Sequence, residues 1–92
     1  MNDELLTYLQ NWYLSKCDGS WEHAYGFDIS TIDNPGWKVS LTGEKNRRNI
    51  AINHDNGKND WVIITANENE FKGYGGPEKL IFIGDKLKEW LG

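Results

Sequence analysis

The densest group of chemically capable side chains in this sequence lies between residues 17 and 23. The run reads Cys-Asp-Gly-Ser-Trp-Glu-His, which places a thiol, an imidazole and two carboxylates close together. A thiol beside an imidazole can act as an activated nucleophile, and the same pair can ligate a transition metal. The spacing of Cys17 and His23 matches no standard zinc pattern, and no second ligand pair follows. We therefore interpret Cys17 as a buried, inert cysteine and predict no metal site here.

The rest of the sequence holds no familiar catalytic motif. It contains no glycine loop followed by Lys-Ser/Thr, no His-Glu-x-x-His and no Gly-x-Ser-x-Gly. Gly73, Gly75 and Gly76 precede a predicted helix, whose first amides could hold an anion. A flexible connection is the commoner role of such glycines. The sequence therefore predicts no catalytic residue, no cofactor and no enzymatic activity.

The same polar segment is a candidate for contacting a partner protein. Glu22 and His23 have two interpretations, because a charged pair after a helix can also satisfy backbone donors of the next turn. Trp21 and Trp37 lie beside predicted turns in polar company, where an aromatic side chain can anchor a partner. The predicted partner contacts are Asp18, Trp21, Glu22, His23, Asp28, Asp33 and Trp37. The remaining tryptophans fall on apolar stripes and are predicted core residues: Trp12, Trp61 and Trp90.

Length, charge and composition limit the classes of function. Ninety-two residues predict one domain over residues 1–92. The net charge of −4 argues against nucleic acid, whose binding depends on Lys and Arg at the phosphates. No apolar run approaches the roughly 20 residues that span a membrane. The N-terminus lacks the pattern of a secretory signal, so we expect a cytoplasmic protein. An acidic surface fits either simple solubility or a basic partner.

Two helices are predicted, one at each end of the chain. Leu5, Leu9 and Trp12 recur at helical spacing, which indicates a helix over residues 2–17 with Asn2 or Asp3 as its cap. Gly19 is free to take the left-handed conformation that closes many helices. A second pattern indicates a helix over residues 78–91, with Pro77 at its first position. An alternative is a short strand over residues 80–83 followed by a helix from residue 85; we prefer one long helix.

Between the helices, the apolar residues alternate with a period of two, which predicts strands over residues 25–30, 37–42, 50–54 and 60–66. Asn34-Pro35-Gly36 predicts a type II turn, and Asn56-Gly57 predicts a type I′ hairpin turn. The last strand is apolar on both faces, so we place it centrally or beneath a helix. The predicted fold class is α+β: an N-terminal helix, a four-stranded antiparallel β-meander and a C-terminal helix, with both helices on one sheet face. An unpaired edge strand would allow a monomer or a weak homodimer.

A combination of short motifs in the first third of the chain resembles the immunity protein 53 family. The residues that carry it are Leu9 to Tyr13, Cys17-Asp18-Gly19, Trp21-Glu22-His23, Tyr25-Gly26 and Asp33 to Trp37. The resemblance implies an α+β immunity protein of bacterial polymorphic toxin systems, which binds and blocks a toxin encoded beside it. It implies no catalytic residue.

The expected function is therefore neutralisation of a cognate toxin by stoichiometric protein–protein inhibition. The alternative is a module that binds a sugar or nucleotide on a stacking surface formed by Trp21, Tyr25 and Trp37.

Overall fold

Five antiparallel strands form one sheet in this computed structural model, and three helices accompany it. The structure describes residues 3–92, without the side chain of Asp3, so the predicted cap at Asn2 or Asp3 lies outside the described residues. In chain order, the elements are α1 (Asp3–Lys16), α2 (Trp21–Ala24), β1 (Phe27–Ile32), β2 (Gly36–Leu41), β3 (Ile50–Asp55), β4 (Trp61–Ala66), β5 (Phe71–Gly75) and α3 (Leu80–Leu91).

The sheet has one strand more than expected, and its order is β1-β2-β5-β4-β3. The prediction of a four-stranded meander is therefore wrong. The missing strand, β5, reads Phe-Lys-Gly-Tyr-Gly, and its two glycines give it little strand propensity. It pairs with both β2 and β4, so that a β1–β2 hairpin joins a β3–β4–β5 meander.

One face of the sheet carries the core. The register aligns Ile64 with Gly73 and Gly73 with Val39, so these residues share a face. A Cβ atom at Gly73 would lie 2.6 Å from Cγ2 of Ile83, so the glycine lets α3 pack closely on β5. The largest fully buried side chains are Trp90, Phe71, Leu41, Ile64, Ile83, Leu87 and Val39. Each such aliphatic side chain contributes about 1.5–3 kcal/mol to stability by leaving water.

The C-terminal helix is continuous, which confirms the preferred prediction over the short strand. It begins at Leu80, because Pro77 and Glu78 form a turn before it. A Cβ atom at Gly84 would lie 2.7 Å from Cδ2 of Leu5, so this glycine marks the point where α1 and α3 approach most tightly. No helix among residues 3–92 is long and apolar enough to cross a membrane.

Two predicted turn types are wrong. Gly36 has no positive φ; it is the first residue of β2, in register with Ile32, and its Cβ would collide with the carbonyl oxygen of Gly75. The glycine therefore serves close backbone packing, and the Asn34–Pro35 bond before it is cis. The β3–β4 hairpin exists, but five residues lie between its end pair and only Gly57 among them has positive φ, whereas a type I′ turn needs two. Gly19, with φ of 95°, follows the end of α1 as expected.

A buried ion-pair network holds the long loop that crosses from β2 to β3. Glu44 is 5% exposed, and its Oε1 accepts hydrogen bonds from Nε and Nη2 of Arg47 at 2.9 and 2.6 Å. Lys16 Nζ lies 3.0 Å from Oε2 of the same carboxylate, and Arg47 Nη1 donates to the carbonyl oxygen of Leu91. The network therefore joins the ends of α1 and α3 to the crossing loop.

Candidate partner-binding surface

The seven predicted partner contacts do not form one patch. Trp21 Nε1 donates to the carbonyl oxygen of Gly43 at 3.4 Å, beyond the end of β2, whereas Trp37 lies at the start of that strand. Six strand residues separate the two places by about 20 Å. Asp18, Glu22 and His23 belong to the Trp21 end, Asp33 belongs to the Trp37 end, and Asp28 lies in β1 between them.

The carboxylates around α2 satisfy backbone donors of their own loop. Asp18 Oδ1 accepts hydrogen bonds from the backbone N–H groups of Ser20 and Trp21 at 2.9 and 3.0 Å. Both bonds lower the pKa of Asp18, and the bond from Trp21 has the larger effect. Glu22 accepts hydrogen bonds from the N–H groups of Asp18 and Gly19 in return, as the structural interpretation of Glu22 expects. The same bonds stabilise the helical turn of residues 21–24, for which the sequence predicts neither helix nor strand.

Trp21 is a core residue rather than a surface anchor. It is 9% exposed and packs edge-on against Trp12, with ring centroids 5.8 Å apart. Tyr25 lies at 6.2 Å from the same ring, but Trp37 is at the far end of the sheet. The three rings of the alternative stacking surface are therefore not brought together. Trp90 is buried as expected, while Trp12 and Trp61 are half-buried.

Trp37, Asp28 and Asp33 lie on or beside the β1–β2 hairpin. Trp37 is half-buried, and its Nε1 donates to the carbonyl oxygen of Pro77 at 2.9 Å. Asp28 points to the sheet face away from the helices and accepts a hydrogen bond from Ser30 Oγ at 3.4 Å. Asp33 is exposed in the turn that follows β1.

Two contiguous clefts run between α1 and β1, and we call them together the α1–β1 groove. The first has a volume of about 240 Å³, and every described residue that lines it is apolar. The second has a volume of about 420 Å³ and shares Leu6, Leu9 and Ile29 with the first. The described lining residues are Leu5, Leu6, Leu9, Gln10, Tyr13, Phe27, Ile29, Trp37, Val39, Leu80, Ile81, Gly84 and Leu87.

The groove exposes apolar side chains that a closed core would cover. Leu6, Tyr13 and Ile29 are 44%, 42% and 41% exposed. Leu5 of α1 packs against Gly84 of α3, while Ile29 on the helix-side face of the edge strand β1 stays largely uncovered. Contiguous exposed apolar surface of this kind is typical of interaction sites.

The acidic charge of the protein is concentrated in the first third of the chain. Residues 1–33 contain six acidic side chains and one basic, a net charge of −5, whereas the remaining residues contain eight acidic and nine basic, a net charge of +1. The one basic residue, Lys16, is paired with Glu44. On the neighbouring strand β2, Lys38 is in register with Ser30, so it shares with Asp28 the sheet face that points away from the groove. The uneven distribution of charge can be read from the sequence. The groove cannot, because the groove depends on how α1 packs.

The groups with metal-binding chemistry are scattered. Among residues 3–92, no three His, Cys, Asp or Glu side chains cluster as metal ligands would. Cys17 is half-buried rather than buried, and its Sγ donates to the carbonyl oxygen of Tyr13 at 3.3 Å. His23 is exposed on α2.

A separate polar cluster joins the β3–β4 loop to the start of α3. Oδ1 of Asp60 lies 2.7 Å from Lys79 Nζ and 3.4 Å from His54 Nε2. Side-chain hydrogen bonds lower the pKa of Asp60 to about 2; the bond from Lys79 has the largest effect, followed by those from Asn56 and His54. Because Lys79 immediately precedes α3, we interpret this cluster as structural.

Fold and surface define an α+β domain with an apolar groove beside its edge strand β1. The chain belongs to the immunity protein 53 family, whose model matches residues 6–92, nearly the whole chain. No curated protein and no solved structure matches the chain.

Proposed function

We propose that this protein binds a cognate bacterial toxin and neutralises it by stoichiometric inhibition. Membership of an immunity protein family supports a toxin as the partner. The toxin would be that of a polymorphic toxin system, encoded beside the immunity gene and acting in the bacterial cytoplasm, where its producer needs protection.

The observation that carries the proposal is the coincidence of exposed apolar surface and negative charge. Leu6, Tyr13 and Ile29 supply the apolar centre. Asp28 and Asp33 supply carboxylates that no described cation pairs with. An apolar centre with a charged surround is the usual anatomy of a protein interface, and the negative charge selects a basic partner. We therefore propose the α1–β1 side as the docking side.

The structure of α2 revises the set of contacts that we propose. Asp18 and Glu22 are occupied by their own loop, and Trp21 is buried. We retain Asp28, Asp33 and Trp37 as contacts and add Leu6, Tyr13 and Ile29. Inhibition then follows from occlusion of the toxin's active site, since an interface of about 1,600 Å² in total buries about 800 Å² of the toxin.

Co-expression with the toxin domain encoded beside this gene tests the proposal. We expect a one-to-one complex through size-exclusion chromatography and restored growth of cells that express the toxin. A double variant, Leu6→Asp with Ile29→Asp, should lose both rescue and complex, while Phe82→Asp, an equally exposed apolar residue outside the groove, should keep both. Toxin and folded protein that neither associate nor restore growth would contradict the proposal.

A further inference from the structure

The outer edge of β1 carries unpaired backbone groups beside the α1–β1 groove. The N–H of Thr42 donates to the carbonyl oxygen of Gly26 at 3.2 Å, so these two residues form a hydrogen-bonded pair. This pair determines which residues of β1 bond to β2 and which direct their backbone groups outward. The even-numbered residues of β1 bond to β2, so the odd-numbered residues Phe27, Ile29 and Thr31 direct their N–H and C=O groups outward. Within the described part of the chain, no backbone hydrogen bond reaches those outward groups.

The same residues turn their side chains toward the groove. Phe27 and Ile29 share the helix-side face with Leu41 and Val39, and both line the groove. An added strand would lie about 4.8 Å beyond β1, with every second side chain on that face. Those side chains would enter the space beside Leu6 and meet the apolar surface that the fold leaves open.

Charge determines which strand can occupy this edge. Asp28 lies on the opposite sheet face of β1, and Asp33 follows the strand. A second copy of this chain would place Asp28 and Asp33 of one β1 edge against those of the other, whereas a basic segment would find opposite charge. Strand addition of this kind draws affinity from main-chain hydrogen bonds and specificity from the pockets for alternate side chains.

We propose that the toxin contributes an extended segment that pairs with β1 as a sixth strand. Apolar side chains of the segment enter the α1–β1 groove, and they alternate with basic side chains on the face of Asp28. This inference rests on the proposed function and adds the mode of binding.

The opposite edge, β3, supplies a matched control within the same chain. The backbone N–H of Asn56 donates to the carbonyl oxygen of Asp60 at 2.8 Å, so the two residues form a hydrogen-bonded pair. Hydrogen-bonded pairs alternate along β3, so the residues that direct their N–H and C=O groups outward are Ala51, Asn53 and Asp55. Their side chains lie on the sheet face opposite the helices, where the cleft beside Asn53 and Asp55 is lined mainly by polar residues, in contrast to the apolar α1–β1 groove.

Amide hydrogen exchange on the wild-type protein, with and without the inactivated toxin domain, tests the pairing. We expect exchange at Ile29 and Thr31 to slow at least about tenfold in the complex, with no change at Ala51 and Asn53. A complex that leaves Ile29 and Thr31 fast overturns the inference but not the proposed function, whereas absence of any complex overturns both. Protection of Ile29 that rises with concentration of the free protein would assign the edge to a second copy instead.

Proline variants test the same hydrogen bonds by affinity. Ile29→Pro removes an outward N–H without breaking the β1–β2 ladder, and Ile29→Ala removes the same side chain while keeping the N–H. We expect the dissociation constant of Ile29→Pro to exceed that of Ile29→Ala at least about tenfold. Asn53→Pro, the control on β3, should bind as wild type does. Equal affinities for the two Ile29 variants, with native circular dichroism, overturn the inference.

Discussion

At the residue scale, Glu44 is the most consequential buried group in the protein. Its carboxylate meets Lys16 and Arg47, and it is the one buried charged side chain among the described residues. The two cations are about 30% exposed, at 32% and 28%, so part of their charge is screened by water. Removal of a buried partner is costly because it leaves uncompensated charge in a poorly solvated place.

Glu44→Gln should therefore lower the free energy of unfolding by about 2–3 kcal/mol, somewhat below the usual cost for a fully buried pair. Urea unfolding followed by tryptophan fluorescence measures the change. Glu78→Gln, an exposed carboxylate in the turn before α3, should change stability by less than about 0.5 kcal/mol. A loss of similar size in the two variants would mean that the network contributes nothing specific.

Asp60 gives a prediction about pH at the same scale. Its pKa is about 2 in the folded protein and 3.8 in the unfolded chain, so its ion pair with Lys79 stabilises the fold above pH 3.8. That stability is lost as the pH falls through about 2. The melting temperature of Asp60→Asn should thus lie below that of wild type at pH 6, and the gap should close between pH 4 and pH 2. Asp85→Asn is the control; a gap for Asp60→Asn that stays constant with pH would contradict the assignment.

At the scale of elements, α3 depends on the glycines of β5. Ile83 is fully buried, and its Cγ2 would lie 2.6 Å from a Cβ at Gly73, so neither group has room to move. Gly73→Ala should destabilise the protein by about 1–3 kcal/mol through overpacking. Gly26→Ala, where a Cβ would meet nothing within 4 Å, should stay within about 0.5 kcal/mol of wild type. Thermal unfolding compares the two, and equal stability would mean that α3 shifts freely on the sheet.

The elements also show where prediction from sequence succeeds. Helices α1 and α3 and strands β2, β3 and β4 are recovered because their apolar residues keep a regular period. Strand β5 and the turn α2 are missed for two different reasons. In β5 the glycines serve the packing of α3, and α2 is a single turn that depends on the hydrogen bonds of Asp18 and Glu22 rather than on an apolar period.

At the scale of the whole molecule, the features of the proposed docking side could be predicted only in part. The charge of residues 1–33 is readable from the sequence. The α1–β1 groove is not, because it arises where α1 contacts α3 at Gly84 and leaves Ile29 uncovered. Burial of Trp21 is likewise a result of tertiary packing, since its neighbours in sequence are polar.

The asymmetry of charge predicts how fast the complex with a basic toxin forms. The double variant Asp28→Asn with Asp33→Asn should lower the association rate constant by about three- to tenfold at low salt and flatten its dependence on ionic strength. The dissociation rate should change less, because exposed charges act mainly on the encounter. Glu68→Gln with Glu70→Gln changes the net charge equally in the β4–β5 turn, which does not line the α1–β1 groove. Stopped-flow fluorescence over a range of salt compares the pairs. Equal slowing in both would mean that net charge alone steers association and that the α1–β1 side has no special part in it.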